Sequence, residues 1–213
     1  MFLKDIVINL YHQHMLPPLI DRACSLTAVR QQREQVVPLA RGRVLEIGIG
    51  TGLNIPHYNP AKIEKVWGLD PAVAMHRRAA ERVARAGLDV QLIGLSGEQI
   101  PMDDNTFDTV VITYTLCTIP DAVTALREMR RVLKRGGQLL FCEHGRAPDE
   151  TVRRWQDRLT PIWRRFSGGC HLNRSVPELL KTGGFKVQQM ETLYLNGLKP
   201  WTFNYRGVAL PDK

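Results

Sequence analysis

In the stretch from Val44 to Gly52, VLEIGIGTG, an apolar run ends in three glycines at alternate positions, Gly48, Gly50 and Gly52. Glycine accepts backbone angles closed to other residues and leaves the main chain bare, so such a turn can bring backbone N–H groups close to a ligand. With a helix-length segment downstream it reads as a strand-to-helix turn, the unit from which parallel sheets are wound. Taken alone, the same glycines suit an ordinary turn of that kind with no ligand.

The rest of the chain extends the pattern. Short apolar runs at 43–47, 65–69, 90–93, 108–113 and 138–142 alternate with amphipathic segments, clearest at 72–86 and 122–133. The second segment is expected to close on Lys134, Arg135 and the pair Gly136-Gly137, a basic last turn and a glycine cap. A helix near 176–181, stopped by Gly183-Gly184, precedes strand candidates at 185–191 and 202–208. The expectation is an α/β fold: a Rossmann-like, seven-stranded, mostly parallel sheet with helices on both faces and an α-helical lid insertion. Residues 1–213 are read as one domain, with amino-terminal helices at 1–40, a ligand-binding core at 41–145, a lid at 146–182 and closing strands at 183–213. Within 1–40, a helix over 2–16 is expected to stop at Pro17-Pro18, followed by another over 20–39.

The net charge of +8 and pI of about 9.6 would suit an anionic partner, but acidic residues are interleaved with the basic ones and no nucleic-acid partner is expected. Cys24, Cys117, Cys142 and Cys170 form no CxxC pair, so no metal site is expected and reduced thiols in a cytoplasmic protein are the simplest account. Lys4 and Asp5 interrupt the apolar amino terminus, which falls short of the ~20 residues a membrane span needs. That helix is expected to lie on the domain, with weak membrane-surface association as the alternative. No motif encodes the oligomeric state.

Two acidic residues narrow the ligand. The glycine spacing is GxGxG rather than the GxGxxG of dinucleotide sites, and Glu46 stands just before it, where it would repel a pyrophosphate and attract a cation. Asp70, in GLDP, lies about 20 residues beyond the loop, where an acid accepts hydrogen bonds from ribose hydroxyls. A nucleoside with a cationic tail and no phosphate satisfies both, and S-adenosylmethionine is such a molecule.

EIGIGTG, GLDP, SGEQIPMDDNTFDTVV and LREMRRVLKRGGQLLF, in that order over roughly residues 40–145, resemble the successive signatures of class I S-adenosylmethionine-dependent methyltransferases. The resemblance implies that Gly48, Gly50 and Gly52 surround the methionine and ribose parts of the cofactor, that Asp70 takes the ribose hydroxyls and that Pro71 borders the adenine. Ser96 stands where many relatives carry an acidic reader of the adenine amino group, which moves that contact to the backbone around Gly97 and Glu98. Thr115 and Leu116 would line the cofactor from the other side.

The acceptor site must come from TYTLCT, CEHGRAP and the insertion 151–174, where aromatics stand among five arginines between Arg153 and Arg165. A substrate lid, an RNA-stacking surface, a membrane-interface element and a plainly packed helix with snorkelling arginines all fit that composition. TLC, FCEHG and GGCHLNR resemble the alkyl-thiol S-methyltransferases of the methyltransferase-like group, which implies a small-molecule acceptor such as an alkyl thiol or hydrogen sulfide. The amino-terminal anchor of the animal members has no counterpart run here. Quinone C-methyltransferases and phosphatidylethanolamine N-methyltransferases share LREMRRVLKRGG and form the second reading, for which Arg146, Asn173 and Arg174 would recognise an anionic head group. His144 is the first candidate for a base and His171 the second, with holding a loop and packing beneath the lid as their respective alternatives. Cys117 and Cys170 are expected to be small buried hydrophobes.

Overall fold

The computed structural model describes Tyr11 and residues 15–212. Seven strands, β1 (Gly42–Ile47), β2 (Ile63–Leu69), β3 (Val90–Ile93), β4 (Phe107–Thr113), β5 (Leu133–His144), β6 (Phe185–Tyr194) and β7 (Phe203–Pro211), make one sheet in the order β3-β2-β1-β4-β5-β7-β6. The first five are parallel, and β7 runs antiparallel between β5 and β6. Around them lie α1 (Leu16–Cys24), α2 (Thr27–Val36), α3 (Val73–Ala86), α4 (Ala122–Val132), α5 (Glu150–Phe166), α6 (Val176–Thr182) and the short α7 (Lys199–Thr202). The sheet is the expected Rossmann-like one, and its strand order reverses between β1 and β4. Open sheets of this kind bind ligands beyond the carboxyl ends of the strands at that switch point.

Side-chain alternation explains why the strands read as continuous apolar runs. Leu45, Ile47, Val110, Ile112, Leu139 and Phe141 face one core, closed by Leu126 and Met129 of α4 and Leu180 of α6. Val44, Val66, Val111 and Leu140 face the other, closed by Val36 of α2 and Val83 of α3. Both sheet faces are therefore apolar, as a parallel sheet covered on two sides requires.

Several boundaries differ from the sequence expectation. Most of the helix expected at 2–16 lies outside the described residues. Pro17 and Pro18 open α1 instead of closing a helix, because the first turn leaves the N–H groups that proline lacks unpaired in any case. The single helix expected at 20–39 breaks between Cys24 and Thr27, giving α1 and α2. Helix α4 ends at Val132, and Lys134–Gly137 belong to β5: Leu133 pairs with Phe107, and Gly136 takes φ +77° where the register slips before Gln138 meets Thr109. The glycine pair thus shapes a bulge rather than a helix cap. Gly183 does end α6, and Gly184 follows at φ +82°.

Helix α5 is tied to the sheet through Gln156, buried beneath it. The Gln156 side-chain carbonyl accepts from the Ala147 N–H at 3.0 Å, and its amide donates to the carbonyls of Gly145 at 2.9 Å and Pro200 at 3.1 Å. Gln156→Leu fills a similar volume but leaves all three backbone groups without partners, a loss of roughly 3 kcal/mol. In a chain of this size the melting temperature should fall by about 10 °C, read by thermal unfolding. A melting point that does not move would mean that water replaces the amide at no cost.

Candidate active site

The three loop glycines adopt left-handed φ of +72° (Gly48), +53° (Gly50) and +79° (Gly52). A Cβ at Gly48 would stand 2.2 Å from the Thr115 side chain, so both backbone angle and space demand glycine there. The N–H groups of Gly48 and Ile49 donate to the Leu69 carbonyl, which locks the turn to the end of β2. Asp70 follows at once, its carboxylate accepting from the N–H of Gly50 at 2.9 Å and of Ala72 at 2.8 Å. Burial raises the Asp70 pKa, and these two backbone hydrogen bonds offset it only in part.

Beside this turn lies a cleft of about 610 Å³ lined by Glu46, Gly48, Gly50, Asp70 and Thr115, with Met75 of α3 across from them. Glu46 forms part of the wall almost without solvent exposure, its two oxygens accepting from Asn54 Nδ2 at 3.0 Å and from the Tyr58 hydroxyl at 2.6 Å. Burial pushes its pKa up to about 7, against the lowering effect of Tyr58, Asn54 and the Arg33 charge.

The remaining expected contacts are distributed differently. Gly52 packs against Ala79 of α3, and Gly97 packs under Ile47; neither lines the cleft. Pro71 is exposed, and Glu98 is occupied by the Ser96 hydroxyl at 2.8 Å and the Asp121 N–H at 2.7 Å. Leu116 is buried, with its N–H on Glu143 and its carbonyl taking a hydrogen bond from Arg174. The roof of the cleft is α1, which sequence reasoning did not assign to the site: Ile20 and Cys24 line it, while Asp21 accepts from the Thr51 hydroxyl at 2.5 Å and pairs with Arg82 at 3.0 Å. No motif marks those residues, since their place depends on a fold-back that local sequence does not encode.

A second and more apolar pocket, about 1130 Å³, shares Ile20, Cys24, Tyr114 and Thr118 with the first. Leu26 and Val29 close it from the amino-terminal side, Trp163 from α5 and Trp201 from α7. The two indoles meet edge to face, 5.6 Å between centroids. Trp155, Ile162 and Phe166 of α5 are exposed instead, so of the insertion's aromatics Trp163 is the one turned into the pocket.

His144, at the end of β5, lines this pocket with its Nε2 3.2 Å from Cys170 Sγ, and Cys117 completes a cluster whose ligand atoms lie within 4.8 Å of one another. The Cys117 thiol and the His144 imidazole hold the Cys170 thiol well below its usual range in spite of burial, and burial is likewise outweighed at His144, raised by Cys170 and Glu143. His171 lines neither cavity; its Nδ1 faces the Cys117 carbonyl at 3.0 Å, and its N–H donates to the same oxygen. The fold therefore brings His144 to the pocket and leaves His171 fastening the loop after β4.

Residues 45–141 match the family described as a methyltransferase domain. The matched segment is a methyltransferase domain, and the fold around it is that of S-adenosylmethionine-dependent methyltransferases of known structure, which points to that molecule as the cofactor. Among individual relatives, it is 34% identical over 152 residues to the thiol S-methyltransferase TMT1B of Rattus norvegicus, which covers 70% of this chain and 62% of the relative. It is 36% identical over 105 residues to a phosphatidylethanolamine N-methyltransferase of Cereibacter sphaeroides, 48% of this chain and 51% of that protein. The chain thus spans less than two thirds of the length of these relatives. A solved S-adenosylmethionine-dependent methyltransferase from Aquifex aeolicus superposes with a TM-score of 0.63 at 20% identity, over 90% of this chain and 97% of that one, a likeness of fold.

Proposed function

We propose that the protein methylates a small lipophilic thiol, with the cofactor in the glycine-lined cleft and the acceptor in the apolar pocket beside it. The observation that carries this reading is the shared wall of Ile20, Cys24, Tyr114 and Thr118, which sets an apolar cavity with a sulfur and imidazole cluster directly against the cofactor cleft. S-Adenosylmethionine supplies an electrophilic methyl group on a positively charged sulfur; binding, alignment and proton handling fall to the chain.

Asp70 and the bare backbone at Gly48 and Gly50 bind and orient the nucleoside and its tail, and Glu46 offers a negative charge to that tail. Trp163 and Trp201 exclude water from the acceptor side. The Trp201 indole N–H and the Thr202 hydroxyl are buried without hydrogen-bond partners, which suits an acceptor presenting one polar atom on an apolar body. A thiol is partly ionised near neutral pH, so the cluster of Cys117, His144 and Cys170 needs to favour the thiolate form only modestly. The match to the thiol methyltransferase over 70% of the chain supports this acceptor class.

The second reading, methyl transfer to a phospholipid amine or a quinone ring, draws on the 36% identity to the phosphatidylethanolamine enzyme and on a 33% match to a ubiquinone and menaquinone C-methyltransferase of Geobacter. No helix among the described residues is long and apolar enough to cross a membrane. Release of S-adenosylhomocysteine, measured with alkyl thiols, hydrosulfide, a demethylated quinone and dispersed phosphatidylethanolamine, separates the two. Turnover on the thiols is expected; turnover confined to quinone or lipid would replace this reading with the second.

A further inference from the structure

Cys117, His144 and Cys170 come from three separate places: the loop after β4, the end of β5 and the turn after α5. Both sulfurs are buried, and all three side chains line the apolar pocket. The separation of 3.2 Å between Cys170 Sγ and His144 Nε2 is near the edge of about 3.5 Å that a tetrahedral zinc ion sets between a thiolate and an imidazole. We propose that these three residues hold one zinc ion, with its fourth position open to the acceptor pocket.

Ligand type and charge both favour such an ion. Two thiolates and a neutral imidazole neutralise a divalent cation, which a buried site requires, and thiolate sulfur selects zinc over the hard cations magnesium and calcium. Three protein ligands with a vacant fourth position is the pattern of zinc sites that act on a substrate, whereas structural sites close all four. Beside the cluster, the fully buried Glu143 keeps one carboxylate oxygen, Oε2, without a hydrogen-bond partner, and its charge offsets that of Arg174, the cation that acts on both sulfurs. Sequence spacing conceals the cluster, because no two of the ligands are near neighbours in the chain.

The ligands bind metal as two thiolates and a neutral imidazole, so binding displaces the protons that the cluster holds and affinity should weaken as pH falls. The use of the vacant position rests on the thiol reading above. An acceptor R–SH would coordinate through one sulfur lone pair and lose its proton to solvent, which leaves two lone pairs of the thiolate for attack on the methyl group. The metal neither gains nor loses electrons in that exchange.

The test uses the full chain, reduced, dialysed with zinc and then freed of excess, with zinc quantified by mass spectrometry and the site probed by cobalt substitution. One metal per chain is expected, with an intense thiolate-to-cobalt charge-transfer band and tetrahedral visible bands. Changing a supporting residue around a zinc site already weakens binding 10–100-fold, so loss of a ligand in Cys170→Ser or Cys117→Ala should weaken it by about 100-fold or more, while Cys142→Ala should bind as the wild type does. Should the ligand variants fail to fold, zinc protection of Cys117 and Cys170 from alkylation, mapped by peptide mass spectrometry on the wild type, serves instead. Trace occupancy, equal binding by the Cys117→Ala, Cys170→Ser double variant, or unprotected thiols would overturn the site. Adding ethanethiol should shift the cobalt bands. Stoichiometric metal whose bands ignore ethanethiol, with no thiol turnover, would sink the thiol reading and leave the metal site standing; thiol turnover without bound zinc would do the reverse.

Discussion

Asp70→Ala should bind S-adenosylmethionine about 100- to 1,000-fold more weakly than the wild type, as measured by titration calorimetry. The carboxylate ends β2 in the cleft, with one oxygen held by Gly50 and the other by Ala72. Those backbone donors fix its orientation and leave lone pairs for the two ribose hydroxyls. Charge-assisted hydrogen bonds contribute roughly 1.5–3 kcal/mol each, and two of them at the lower end of that range give the stated loss. The substitution also removes the acceptor for the Gly50 N–H, so the loop itself could be the cause of the loss. A cofactor analogue lacking the ribose 2′-hydroxyl tells these apart: it should bind the wild type weakly and lose comparatively little further in the variant. Equal losses for cofactor and analogue would assign the effect to the loop, and an unchanged affinity for S-adenosylmethionine would remove Asp70 from the ribose site altogether.

Glu46 should couple cofactor binding to protons near neutral pH. Burial raises its pKa from 4.5 to about 7, with Tyr58, Asn54 and Arg33 opposing and Asp70 reinforcing the shift. For stability, a carboxyl whose folded pKa lies above its unfolded value contributes most below about pH 4.5, and the contribution disappears as pH rises through 7. The change is about 3 kcal/mol for one fully buried group. Cofactor binding has the opposite sign, since a cationic ligand prefers the ionised form. Affinity should therefore climb from pH 6 to pH 8, with proton release on binding detectable as a buffer-dependent calorimetric enthalpy. Glu46→Gln keeps the shape and most of the hydrogen bonds while removing the charge. It should abolish the proton release, flatten the stability profile between pH 4.5 and 7, and weaken binding at pH 8 by about 10- to 100-fold. Identical pH profiles for variant and wild type would show that Glu46 serves only to hold Asn54 and Tyr58.

The two predictions concern residues that the sequence already singled out, and the reason is local. Glu46, the three glycines and Asp70 lie within two adjacent strand ends, where a fixed spacing along the chain becomes a fixed spacing across a parallel sheet. Backbone register transmits that information, and periodicity makes register readable. The same logic made the sheet legible, because alternating residues such as Val110 and Val111 supply two different cores and leave a continuous apolar run.

What escaped depends on contacts between segments distant in sequence. Lys134–Gly137 carry the composition of a helix end, yet pairing of Leu133 with Phe107 and of Lys134 with Asp108 draws them into β5, since ladder bonds and an ion pair outweigh a local cap preference. Helix α1 became the roof of the cleft through Asp21, Thr51 and Arg82, a link that no period in the chain announces. Of two histidines with similar surroundings in sequence, His144 reaches the apolar pocket because β5 ends there, and His171 is held away by the Cys117 carbonyl. The parallel sheet, the glycine turn and its two carboxylates are legible in the chain alone, all products of backbone periodicity. Which sulfurs meet His144 and which helices wall the apolar pocket emerges only in three dimensions, because side-chain convergence from remote segments leaves no trace in local spacing.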